Sequence, residues 1–114
     1  MRKSSKATAK SRRETRPKTL VDFERDFPEI WKAFGWLRDA CDHGGPLDEK
    51  VRELIKIGIE TAQVRRGGLA AHIHRAEKAG ASKGEISQAI LLAAPLVGMA
   101  AILDAFRVAA AQLD

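Results

Sequence analysis

The 114-residue chain suits one domain of ordinary size, and at 45% hydrophobic it can bury a core. With no Tyr, four Phe and two Trp, that core must be built from Ala, Leu, Ile and Val, and a single cysteine, Cys41, excludes both a disulfide framework and any Cys-x-x-Cys redox or zinc motif. The net charge of +5 is unevenly placed: residues 1–19 carry eight basic side chains against one acidic, whereas the other 95 carry 12 basic against 14 acidic.

The segment "MRKSSKATAKSRRETRPKT" is therefore the source of the basicity. It holds almost no large apolar group to offset the entropy of ordering, so residues 1–19 are expected to be a disordered, solvated arm. It lacks the apolar centre of a secretory signal. Its Arg- and Ser-rich, acid-poor composition fits a transit peptide in kind, and weak contact with nucleic acid or an acidic partner is the other role such an arm can take. The longest apolar run, Ala89 to Leu103, is broken by Pro95 and Gly98 and falls short of the ~20 residues a membrane span needs. A soluble, cytoplasmic protein is expected.

From residue 20 the chain reads as helix throughout. Phe23, Phe27, Ile30, Trp31, Phe34 and Leu37 recur at spacings of three and four, with Pro28 placed at a helix start. His43-Gly44-Gly45-Pro46 breaks the chain. Asp48 is a good N-cap for the next helix, whose Val51, Leu54, Ile55, Gly58, Ile59 and Ala62 form a full apolar stripe. The opposite face mixes Glu53, Ile57, Glu60 and Val64, which suggests a second contact, either a neighbouring subunit or a lined cleft. Gly67-Gly68 reads as a turn before a short helix, Leu69 to Ala79, with Gly80 as its C′ residue. Ser82 to Glu85 has capping-box spacing and opens a long Ala/Leu/Ile helix, bent or broken near Pro95 and Gly98. There is no strand alternation and no hairpin signal. The expected class is all-α, with five to six helices in one domain over residues 20–114. The last helices are apolar around much of their circumference, more than so small a domain can absorb, which points to a homo-oligomer.

Few side chains can carry chemistry. In "RRGGLAAHIH", His72 and His74 lie two residues apart and point about 200° from each other on a helix, so they cannot chelate one metal. His72 shares a face with Leu69 and Ala76, whereas His74 points toward solvent beside Glu77 and Lys78. On spacing alone His72 is either a core histidine satisfied by one hydrogen bond or an acid–base group. In the second case it needs a carboxylate to set its tautomer, and Glu53 and Glu60 both qualify. Cys41 reads as a small buried hydrophobe rather than a nucleophile. No metal and no cofactor is called for.

The stretches "LDEKVREL", "LAAHIHRAEKAGASKGEI" and "PLVG" followed by "AAILDAFRVA" resemble the carboxymuconolactone decarboxylase family, within the alkylhydroperoxidase D-like superfamily, over about Leu47 to Ala109. The resemblance implies an all-α fold assembling as trimers or hexamers. It also implies a Glu and a His at the positions of Glu53 and His72. The superfamily's peroxidase branch carries two cysteines where this chain has Arg65 and Gly68, so its thiol chemistry has no nucleophile here. The decarboxylase branch implies acid–base chemistry on a small lactone or oxo-acid, with His72 as general acid/base, Glu53 as its partner, and Arg52 or Arg65 meeting a substrate carboxylate. The alternative is a non-catalytic, small-molecule-binding member that kept the fold after losing the thiols.

Overall fold

The computed structural model describes residues 17–113. The basic arm thus falls almost wholly outside the described residues. Its last residues do not: the first helix, α1, runs Lys18–Asp26, two residues ahead of the expected boundary. Lys18 reaches Asp22 one turn on, at 2.7 Å, and this pairing extends the helix backward. Among the described residues there are seven helical segments and no strand. None is long and apolar enough to cross a membrane. The chain divides at Gly44/Gly45 into two compact units.

The first unit contains α1 and α2, Pro28–Asp42. Phe27 ends one helix and begins the other, because Pro28 has no N–H to give and disfavours the helical conformation in the residue before it. Phe23 packs on Phe27 with ring centroids 5.1 Å apart, and Trp31 lies 6.5 Å from Phe23. Cys41, expected to be buried, is exposed near the end of α2.

The second unit is built from α3, Glu49–Ala62; α4, Arg66–Lys78; α5, Lys83–Leu91; α6, Ala94–Val97; and α7, Met99–Gln112. Its helix ends follow local rules. Asp48 accepts from Val51 N–H at 3.0 Å, and Ser82 and Glu85 complete a reciprocal capping box. Gly80, at φ +97°, supplies the left-handed C′ position that closes α4. The long C-terminal helix is split in two places: α6 carries Pro95 in its first turn, and Gly98, at φ +88°, separates it from α7.

Two features differ from expectation. Gly67 and Gly68 are not a turn; they lie in the first turn of α4, which begins at Arg66. The turn comes earlier, at Val64, whose φ of +55° is the left-handed conformation usually left to glycine. Arg65 N–H bonds to Glu60 C=O and Val64 N–H to Thr61 C=O, so α3 ends in a Schellman motif without a glycine.

The second difference is larger. The uniform stripe on α3 does not form the core: Ile55 and Ile59 are about half exposed, at 47% and 50%. The buried face is the mixed one, Glu53, Ile57, Glu60 and Thr61. The reason is what packs on it. α3 lies against α4 and α5, and Ile57 joins Leu69, Ile73, Ile86, Ile90 and Ile102 in one apolar cluster. Burial of two carboxylates on this face is tolerated only where something meets them.

Candidate functional site

The three-residue link between α3 and α4 makes them an antiparallel pair, and both carboxylates of the buried α3 face meet α4. Farther from the link, Glu53 Oε2 accepts from His72 Nδ1 at 2.6 Å. Their side chains are 7% and 16% exposed, so this pair is nearly removed from water. A charge-assisted hydrogen bond of that length fixes the ring and commits Nδ1 as the donor. Nε2 is then the ring nitrogen not engaged by Glu53. Ile73, fully buried beside it, anchors this stretch of α4 in the core. His74 is exposed, and among the described residues no three His, Cys, Asp or Glu side chains are grouped as metal ligands would be.

Glu60, which pattern alone could not separate from Glu53, has a different environment. Its carboxylate lies over Gly68, one helical turn before His72 on α4. A Cβ at Gly68 would fall inside contact distance of Oε2 and 2.7 Å from Cδ, so any larger residue there would have to push the Glu60 carboxylate aside. Glu60 is 8% exposed and its Oε2 has no hydrogen-bond partner. The other oxygen, Oε1, stands 3.5 Å from Arg65 Nη1. Beside it, Arg66 grips Asp104 of α7 through two bonds of 2.8 Å. The Arg66 guanidinium holds the Asp104 carboxyl below its ordinary value of 3.8, against a smaller opposing effect of burial.

Several of these groups, with Leu69 and Ala105, line a shallow surface depression open to solvent rather than an enclosed cavity. The depression is charged at its rim, and neither His72 nor Glu53 lines it. Of the two arginines expected to meet substrate, Arg65 faces Glu60, and Arg52 donates to Leu47 C=O at 2.7 Å. Neither is joined to the His72–Glu53 pair. Asp104 was not anticipated; its signal is a lone acid in the otherwise apolar run "MAAILDAF".

Fold and site together define an all-α protein with a buried histidine–carboxylate pair clamped between two antiparallel helices. The sequence model of the carboxymuconolactone decarboxylase family matches residues 25–111, and the chain belongs to that family. The crystal structure of an apo carboxymuconolactone decarboxylase family protein from Legionella pneumophila is similar, with a TM-score of 0.74 and 26% identity, covering 82% of this chain and 84% of that one. No curated protein matches the chain.

Proposed function

We propose that the protein is an acid–base catalyst of the lyase or isomerase type acting on a small lactone or oxo-acid, with His72 as general acid/base. The observation that carries this reading is the 2.6 Å His72–Glu53 contact in a nearly dry setting. A histidine held this way presents Nε2 in one orientation, and a positioned side chain of this kind accelerates proton transfer by roughly 10²–10⁴-fold. In a decarboxylation, the bond to the departing carboxylate carbon breaks and its electron pair stays on the substrate. His72 first takes a proton from solvent at Nε2, with Nδ1–H kept on Glu53; the vacated carbon then takes that Nε2 proton as carbon dioxide leaves, and the ring returns to its starting form. Glu53 acts through His72 and is a positioning residue. Neither metal nor cofactor is needed for this step, and a cytoplasmic setting suits a protein with one unpaired thiol.

The proposed assembly is a homo-oligomer, a trimer or hexamer as the family resemblance implies. What supports it is the outward α3 stripe and the apolar surface around the α6 break, where Leu96 is 84% exposed and Leu92 and Met99 are also largely open.

The test is turnover of γ-carboxymuconolactone and a panel of small lactones and oxo-acids. His72→Ala should lose at least ~100-fold in kcat, and Glu53→Gln should lose less while shifting the pH profile. Unchanged turnover in both variants sinks the catalytic reading. A wild type that binds such acids without turning any over supports the binding-protein alternative instead.

A further inference from the structure

The first unit has no core of its own. No residue of α1 or α2 is buried, although the pair carries Phe23, Ile30, Phe34, Trp36 and Leu37. Chains of fewer than about 40 residues rarely bury enough apolar surface to hold a fold unaided. On α2 the open apolar residues are ordered: Ile30, Phe34, Leu37 and Cys41 follow at spacings of four, three and four, with Ala33 and Ala40 beside them. All six are exposed, and Lys32 and Asp39 fall on the opposite side of the helix. Spacing that alternates between three and four is what a helix shows where it packs along another helical surface.

The second unit leaves a matching surface. Residues 91–103 include no charged side chain, and around the α6 break Leu92 and Leu96 are 67% and 84% exposed, with Met99 and Leu103 also open. The buried centre of a protein–protein contact is depleted in charge in the same way. Pairing α2 with the α2 of another copy would join two units that each lack a core. Docking α2 on the α6 region ties the coreless unit to a body with a buried apolar cluster of its own. Both surfaces remain open in the single chain, so that body belongs to a second copy. We propose that the α2 seam of one protomer docks on the α5–α7 surface around Leu92 and Leu96 of the next. Contact between two unlike surfaces is head-to-tail and repeats from copy to copy until a ring closes. The inference thus rests on the assembly proposed above and states how it is built. From the sizes and exposures of its side chains the seam offers on the order of 500 Å² per protomer, which with its counterpart reaches the ~1,000 Å² that a specific interface needs.

The experiment mixes two full-length variants at one protein concentration and reads particle mass by light scattering. Phe34→Glu spoils the seam and keeps the α6 surface; Leu92→Glu with Leu96→Glu does the reverse. Each alone should be a monomer. Mixed in equal amounts they should form a particle of two chains and no more, because one sound seam and one sound α6 surface make a single contact that cannot propagate. Leu37→Glu should behave as Phe34→Glu does and serves if the first variant fails to fold. A two-chain particle in either variant alone would show like pairing with like, and a mixture that stays monomeric would show that something other than a second copy covers the seam. Either result overturns the docking, as does an assembly of wild-type mass in Phe34→Glu or Leu37→Glu. A monomeric wild type removes the assembly itself, whereas an assembled wild type with no two-chain particle in the mixture removes only this contact.

Discussion

Breaking the His72–Glu53 pair from each side should cost unequal amounts. His72→Ala leaves a carboxylate whose side chain is 7% exposed with no partner, whereas Glu53→Ala leaves a ring that is 16% exposed and can still reach water. Removing one partner of a fully buried ion pair costs about 3–5 kcal/mol, and an exposed pair contributes about 0.2–1 kcal/mol. This pair lies near the buried end of that range. About 3 kcal/mol is expected for His72→Ala, about 2 kcal/mol for Glu53→Ala, and a coupling of about 2 kcal/mol in the double variant. The assay is urea unfolding of all four proteins at one protein concentration, since any self-association shifts apparent stability by mass action. With a slope near ~2 kcal/mol per molar urea, the coupling appears as a midpoint displaced by about 1 M. Additivity within about 0.5 kcal/mol would show that the contact stores no energy, and the clamped-histidine argument would fail with it.

Val64→Gly should raise stability by about 1 kcal/mol in the same assay, because valine sits at φ +55° where glycine is unstrained; a loss would contradict the turn assignment. Gly68→Ala should be nearly neutral in stability, since the displaced atoms are the far end of a flexible side chain; loss of the folded state would show that Glu60 cannot move. Acid should weaken the second unit in a defined window. The Ser82 backbone and Lys50 hold Glu85, and Arg66 holds Asp104, below their ordinary values of 4.5 and 3.8. Depressed folded-state values mean these contributions are full above the ordinary values and fade as pH falls through the lower folded ones. The urea midpoint should therefore drop below about pH 4, and Asp104→Asn should flatten that drop; an identical acid slope in the variant would refute the pairing. Leu92→Glu with Leu96→Glu should reduce the particle seen by light scattering to a monomer, and a monomeric wild type would remove the basis for the oligomer.

What could be read from residues alone divides along a physical line. Asp48, the Ser82–Glu85 box and Gly80 were legible because a cap involves only neighbours within one turn. The turn at Val64 was not, because a β-branched residue in the left-handed region carries no local signal and the glycine pair just beyond draws the break forward. The orientation of α3 was misread because periodicity reports that a stripe exists and not what covers it. Here α4 and α5 cover the face bearing Glu53, Ile57 and Glu60, and Ile55 and Ile59 of the purer apolar stripe are left half exposed. The choice between Glu53 and Glu60 came from family resemblance and not from pattern. Geometry now gives each its own contact, one with His72 and one over Gly68.

The central claim is that His72 moves a proton, and solvent isotope incorporation reads that step directly. With γ-carboxymuconolactone in D2O, the wild-type product should carry one solvent deuteron at the carbon that lost carbon dioxide, formed well above the uncatalysed rate, and His72→Ala should fall to background. Deuterated product forming at the wild-type rate in His72→Ala, or at background in both proteins, would contradict the account.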